Sequence, residues 1–126
     1  MAWGVQMTKK DLPDLRRLVK NGSFDLTGHA YDQMLIRDIS FDDVERILSS
    51  ETNQLIEVQP PTDEPGRSHK NERILIYDPL FTPDTILVCV VNVQPIPEVI
   101  VITAERALPS KWRKVAGADP GLVRIR

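Results

Sequence analysis

One cysteine, Cys89, stands in the 126 residues. It can form no internal disulfide and cannot found a zinc site of the usual multi-cysteine kind. Its place inside Ile86-Leu87-Val88-Cys89-Val90-Val91 marks it as a buried small hydrophobe rather than a catalytic thiol. Histidine is nearly as scarce, limited to His29 and His69. No apolar run approaches the roughly 18 residues of a membrane-spanning helix. The opening Met1-Ala2-Trp3-Gly4-Val5-Gln6-Met7 lacks the basic lead and long apolar stretch of a secretory leader. A reducing cytoplasm is the expected compartment. Phosphate-cradling Gly-rich loops and the His-Glu-x-x-His pattern are absent too. The carboxylates are scattered rather than paired, which gives glycoside chemistry no support. No metal and no cofactor are expected.

What is present fits one globular domain. The apolar fraction of 41% and the charged fraction of 27% are ordinary, and the length suffices for a hydrophobic core. The net charge of -2 conceals an uneven layout. Asp38 to Pro65 holds eight acidic residues against Arg46 alone, whereas Arg106 to Arg126 holds six bases against Asp119 alone. Such asymmetry predicts an acidic face and a basic face, the latter able to meet phosphate or an acidic partner. An ordinary solvated tail accounts for the basic end equally well.

Three helical patterns come first. Thr8 opens a Thr-x-x-Asp start, Leu12, Leu15, Leu18 and Val19 recur at helical spacing, and Asn21-Gly22 is a stop. Thr27 caps a second helix of His29 to Asp38, on which His29, Gln33 and Arg37 share one side. Ser40 caps a third, with Phe41, Val44, Ile47 and Leu48 as its apolar stripe and Asp43 placed to reach back. Strands follow at Leu55–Val58, Arg73–Tyr77, Thr85–Val93 and Glu98–Thr103, the third expected to be covered on both faces. Between the first two lies the breaker Pro60 to Gly66. Short connections favour antiparallel neighbours. After Pro109, Ser110 is expected to cap a short helix holding Trp112. Gly117, Pro120 and Gly121 mark residues 115–126 as a loose tail. Helices grouped ahead of strands predict an α+β domain, with N-terminal helices packed on a four-stranded antiparallel sheet.

The segment His29-Ala30-Tyr31-Asp32-Gln33-Met34-Leu35-Ile36-Arg37-Asp38-Ile39-Ser40-Phe41-Asp42-Asp43-Val44 resembles the "His-Ala, Arg-Met, Arg, Ile-Ser, Asp-Val" opening of domain-of-unknown-function family 4258. These are small bacterial domains akin to BrnT and RelE toxins. Ile102-Thr103-Ala104, followed by Pro109 and Trp112, is similar to that family's closing "Ile-Thr-Ala-Tyr, Pro, Lys-Trp". The anchors bracket a core of residues 24–114. Gln33 stands where the family usually has arginine, and Glu105 where it usually has tyrosine. The resemblance implies a RelE/BrnT-like fold and cleavage of RNA, often messenger RNA on the ribosome. It also implies a cognate antitoxin, often a small zinc-finger protein of the MqsA kind.

Metal-free RNA cleavage needs a base for the 2′-hydroxyl, an acid for the leaving oxygen and cations around the phosphorane. Histidine, with an ordinary pKa of about 6.5, suits the first two roles. His29 is one candidate, beside Arg37; the alternative is a structural histidine holding the helix start. Glu105 is a second candidate for proton transfer, or else a partner for Arg106 or Arg113. Arg73 and Lys70, in the basic stretch around His69, could grip a phosphate backbone, or belong to a solvated hairpin loop. Arg106 is a further candidate on the reacting phosphate. Lys111 and Arg113 flank Trp112 in a basic-aromatic segment able to bind RNA, although Trp112 fits a core plug better. The leading expectation, as the resemblance implies, is a type II toxin acting as a metal-independent endoribonuclease. A non-catalytic RNA- or protein-binding module on the same fold is its rival, and a structural domain of an oligomer that covers exposed strand edges is a third.

Overall fold

The structure, a computed structural model, describes residues 11–63, 65, 71–93 and 98–125. The expected start of the first helix at Thr8 lies outside these residues, and so does Lys70. Helix α1 spans Leu12–Lys20, with Pro13 in the first turn where no N–H is missed. It stops where Asn21 and Gly22 donate backbone N–H groups to Arg17 and Val19 at 3.0 Å each, Gly22 taking φ +80°. Strand β1 (Phe24–Leu26) leads into α2 (Gly28–Arg37), where the Thr27 hydroxyl accepts the Ala30 N–H at 3.0 Å. Helix α3 (Phe41–Ser49) has Ser40 accepting the Asp43 N–H at 3.0 Å. Both expected caps therefore form, because each hydroxyl satisfies an otherwise orphaned first-turn donor.

Strands β2 (Gln54–Gln59), β3 (Arg73–Tyr77), β4 (Ile86–Val93) and β5 (Glu98–Arg106) follow. Among the described residues the main sheet has five strands in the order β1-β5-β4-β3-β2. It corrects the expected four-stranded antiparallel sheet, since β1 joins the edge parallel to β5, Phe24 opposite Val99. Three residues between two helices are too few to show a strand period. They are recruited because Val99 donates to the Ser23 carbonyl at 2.9 Å and Thr27 to the Val101 carbonyl at 3.1 Å.

The three helices cover one face of this sheet. Leu15, Val44, Ile47, Leu48, Met34 and Ala30 pack there onto Ile74, Ile76, Val88, Val90, Val101 and Ala104. Phe41, expected in the α3 stripe, is 45% exposed and stacks instead on Phe24 with ring centroids 5.0 Å apart.

The expected C-terminal helix is absent. A turn in which Lys111 and Trp112 both donate to the Leu108 carbonyl (2.9 and 3.0 Å) leads into strand β6, Trp112–Lys114. It pairs antiparallel with β7, Leu122–Arg124, so the segment read as a loose tail supplies a strand. Trp112 and Leu122 are buried while the residues after them, Arg113 and Val123, are exposed, as successive residues of a strand lie on opposite faces. They bury themselves against Leu75, Tyr77, Leu87 and Cys89, on the face of the main sheet away from the helices. Strand β4 is thus covered on both faces, as its apolar run predicts. No described helix is long and apolar enough to cross a membrane.

Candidate functional site

On the helix side, His29 lies exposed in the first turn of α2 and has no hydrogen-bond partner among the described residues. Arg37, at the other end of α2, donates Nη1 to the Ala104 carbonyl of β5 at 2.9 Å. Arg106 answers from β5. Its Nε meets Asp84 Oδ2 at 2.8 Å, its Nη1 the Arg37 carbonyl, and its Nη2 the Asp38 carbonyl at 3.2 Å. The two guanidinium groups form a reciprocal clasp, with Arg106 closing the C-terminal carbonyls of α2. A cation suits those carbonyls because the helix dipole concentrates negative partial charge there. These donors hold the helix to the sheet, and the alternative pairing of Glu105 with Arg106 is not the one adopted.

The opposite face of the sheet carries a different set. Side chains alternate along β3, so Arg73 shares the face of Leu75 and Tyr77. On β5 a bulge opposite Cys89 and Val90 lets Cys89 pair with Thr103 and Val90 with Val101. Ile102 is the extra residue, and the phase of the strand shifts across it. Glu105 then pairs with Leu87 on the back face, whereas Arg106 pairs with Ile86 on the helix face. The sequence-proposed group is therefore divided: Arg73 and Glu105 lie behind the sheet, and His29, Arg37 and Arg106 lie on its helix side.

Cys89 sits between Arg73 and Glu105. Burial pushes its thiol up to about 11; Arg73 pulls the other way, and Glu105 and Glu57 add to the rise. A thiol held neutral is a poor nucleophile, in keeping with the reading of Cys89 as a hydrophobe. The folded pKa lies above the ordinary value, so this contribution to stability is complete below the unfolded thiol's pKa. It is lost as pH rises toward about 11. The wild type should therefore lose urea resistance between pH 8.5 and 10.5 more steeply than Cys89→Ala, by at most about 1.4 kcal/mol per pH unit. Parallel alkaline slopes in the two proteins would refute the assignment.

Above this face Arg124 of β7 makes two bonds to Glu57 of β2, Nε to Oε2 and Nη2 to Oε1, both 2.8 Å. Its guanidinium lies over the Trp112 ring, 4.5 Å from the centroid. The pairing raises the Arg124 pKa still further. A bidentate, stacked arginine of this kind pins the β6–β7 hairpin to the sheet. Lys111, Arg113 and Lys114 remain exposed around it, so the hairpin presents part of the basic character expected of Arg106 to Arg126.

At the Tyr77 end of the sheet two clefts open beside the hairpin. One, of about 610 Å³, lies among Gln54, Tyr77, Pro79, Thr85, Lys114 and the turn from Val115 to Gly121. Burial, then Asp119 and Asp78, raises the Tyr77 phenol above its usual range. The second, of about 570 Å³, lies among Pro83, Asp84, Thr85, Arg106, Leu108, Pro109, Trp112, Lys114 and Leu122. Among the described residues no cluster of His, Cys, Asp or Glu could hold a metal ion.

Glu57, Tyr77, Lys114 and Arg124 are the residues that sequence reasoning missed. For Arg124 a signal existed: Leu122, Arg124 and their neighbours Val123 and Ile125 follow the Pro120-Gly121 turn, and β-branched residues after a turn read as a strand. Nothing in the sequence linked Glu57 to it. Among comparisons with known proteins, no curated protein and no solved structure matches the chain. The family described as a domain of unknown function, DUF4258, matches residues 26–106. That span runs from the end of β1 through the clasp at Arg106 and is well over half the chain, which therefore belongs to the DUF4258 family.

Proposed function

We propose that this domain is a toxin of a type II toxin–antitoxin pair, a RelE/BrnT-like endoribonuclease that works in the cytoplasm without a metal, on the sheet face behind the helices. The observation that carries the reading is the register that places Arg73 and Glu105 on either side of Cys89, on the face that also receives the hairpin with its exposed Lys111, Arg113 and Lys114. The register puts their backbone positions about 13 Å apart along the strands and about 10 Å across them, and both side chains act on the Cys89 thiol between. In this reading Arg73 binds the scissile phosphate and Glu105 takes the proton of the 2′-hydroxyl. The 2′-oxygen then attacks phosphorus to form a 2′,3′-cyclic phosphate, and the 5′-oxygen leaves with a proton taken from solvent water. His29, across the sheet, takes no part. The cognate antitoxin, of the MqsA zinc-finger kind, would find an apolar surface on α2, where Tyr31, Leu35 and Ile36 are 55%, 64% and 77% exposed.

One observation favours a second reading, an RNA- or protein-binding module without cleavage. Arg37 and Arg106 are spent on the clasp and Arg124 on Glu57, which leaves few cations to stabilise a phosphorane. Induction of the chain alone in a bacterium, beside Glu105→Gln and Arg73→Ala at equal abundance, separates the two. Growth arrest with fragmented RNA is expected for the wild type, and a loss of cleavage of about a hundredfold or more for Glu105→Gln. Intact RNA at full expression of folded protein, with RNA still bound in a salt-dependent manner, would select the binding module.

A further inference from the structure

The two clefts at the Tyr77 end are not used by the chemistry assigned to Arg73 and Glu105. They meet at Thr85 and Lys114, which line both. We infer that they form a track for two consecutive nucleotides of single-stranded RNA, one base in each cleft and the linking phosphate at Lys114 and Thr85. This rests on the proposed RNA-directed function and adds a subsite to it.

Each volume lies within the roughly 300–1,000 Å³ of pockets that take small organic groups. In the first cleft Pro79 and Ala116 offer apolar walls and Gln54 offers a polar group for a base edge, beside a Tyr77 phenol that is buried and hydrogen-bonded to the Gly121 backbone. Gln54 Oε1 is occupied by the Gly121 N–H at 2.8 Å, which leaves its amide NH2 as the group to present. A Cβ at Gly121 would lie 2.6 Å from the Tyr77 hydroxyl, so any other residue there would displace the phenol. The second cleft has Leu108, Pro109 and the edge of Trp112 as apolar surface. Lys114, exposed and without a carboxylate partner among the described residues, supplies the cation where they join. A flat group, an anion and a second flat group in that order is the pattern of a dinucleotide step. Recognition of unstacked bases in this way is how single strands are read.

The test titrates the full chain, isotopically labelled for NMR, with a single-stranded tetraribonucleotide, a dinucleotide and a mononucleotide. Lys114→Gln, Ala116→Trp, Arg73→Ala and Arg17→Ala are compared, with thermal unfolding of each confirming the fold. The dinucleotide and tetranucleotide should shift the amides of Thr85, Lys114 and Ala116. Lys114→Gln should weaken tetranucleotide binding about tenfold and lower the salt slope by about 0.7, Ala116→Trp should block the first cleft, and a control variant on the exposed side of α1, Arg17→Ala, should leave dinucleotide binding unchanged. Tetranucleotide binding that is lost in Arg73→Ala but untouched by Lys114→Gln would overturn the track and leave the proposed function standing. A mononucleotide bound as tightly as the tetranucleotide would overturn it in favour of a free-nucleotide site. Failure of the folded wild type to bind any RNA would remove both.

Discussion

Trp112→Ala is expected to cost about 3–5 kcal/mol of stability, the range for removing a large buried aromatic side chain. The indole is 7% exposed and, with Leu122, caps the back-face cluster of Leu75, Tyr77, Leu87 and Cys89. It is also the surface on which Arg124 rests. Removing it leaves a void that the short β6–β7 hairpin cannot collapse to fill. The Glu57–Arg124 pair, partly exposed, offers too little to hold the hairpin alone. Denaturant unfolding should show the loss, and hydrogen exchange should show the amides of Trp112–Lys114 and Leu122–Arg124 exchanging well before those of β4. A loss below about 1 kcal/mol, in the range of an ordinary surface substitution, would mean that the hairpin does not cover the sheet.

The second large effect is expected at Asn53, which is 3% exposed. Its Nδ2 donates to the carbonyls of Ile47 and Leu48, each at 3.0 Å, and so closes the end of α3. Its Oδ1 accepts Arg16 Nε at 2.9 Å, and its backbone carbonyl accepts Arg16 Nη2 at 3.1 Å. One amide thus ties α1 to α3 and satisfies carbonyls that helix geometry leaves unpaired. Asn53→Leu keeps the volume and removes every one of the side-chain bonds. It is expected to cost about 2–4 kcal/mol, since each buried polar group left without a partner costs about 1–3 kcal/mol and such costs are not additive. Asn53→Asp is the informative companion, because a carboxylate can keep Arg16 but cannot donate to the helix carbonyls. Asp should therefore fall between Asn and Leu in a thermal unfolding series; equality of all three would show that the amide does not organise the helix pair.

How much of this was legible follows from where the information resides. Helix α3 could be read closely because Ser40 announces its start and Val44, Ile47 and Leu48 repeat at helical spacing. Strand β3 could be read because five adjoining residues, Arg73–Tyr77, carry the pattern by themselves. Strand β1 could not, because what makes Phe24–Leu26 a strand is Val99–Val101, far along the chain. Trp112 was rightly suspected as a plug, yet its secondary structure depended on β7, which its own neighbours do not reveal. The site was the least legible part. Candidates were found by residue type, but which face each occupies depends on strand phase. The bulge at Ile102 decides it for β5. Uninterrupted alternation from buried Val101 would have sent Glu105 toward the helices and Arg106 behind the sheet.

The parallel pairing of β1 with β5 also bears on the order in which the chain can assemble. The β2–β3 and β4–β5 hairpins join near neighbours, so their loops close at small entropic cost. The edge position of Phe24–Leu26 needs β5 already in place, as does the clasp between α2 and Arg106. The expected order is therefore that the antiparallel strands form first and the N-terminal segment condenses on them last. Substitutions in β1 should therefore change the unfolding rate far more than the rate of refolding.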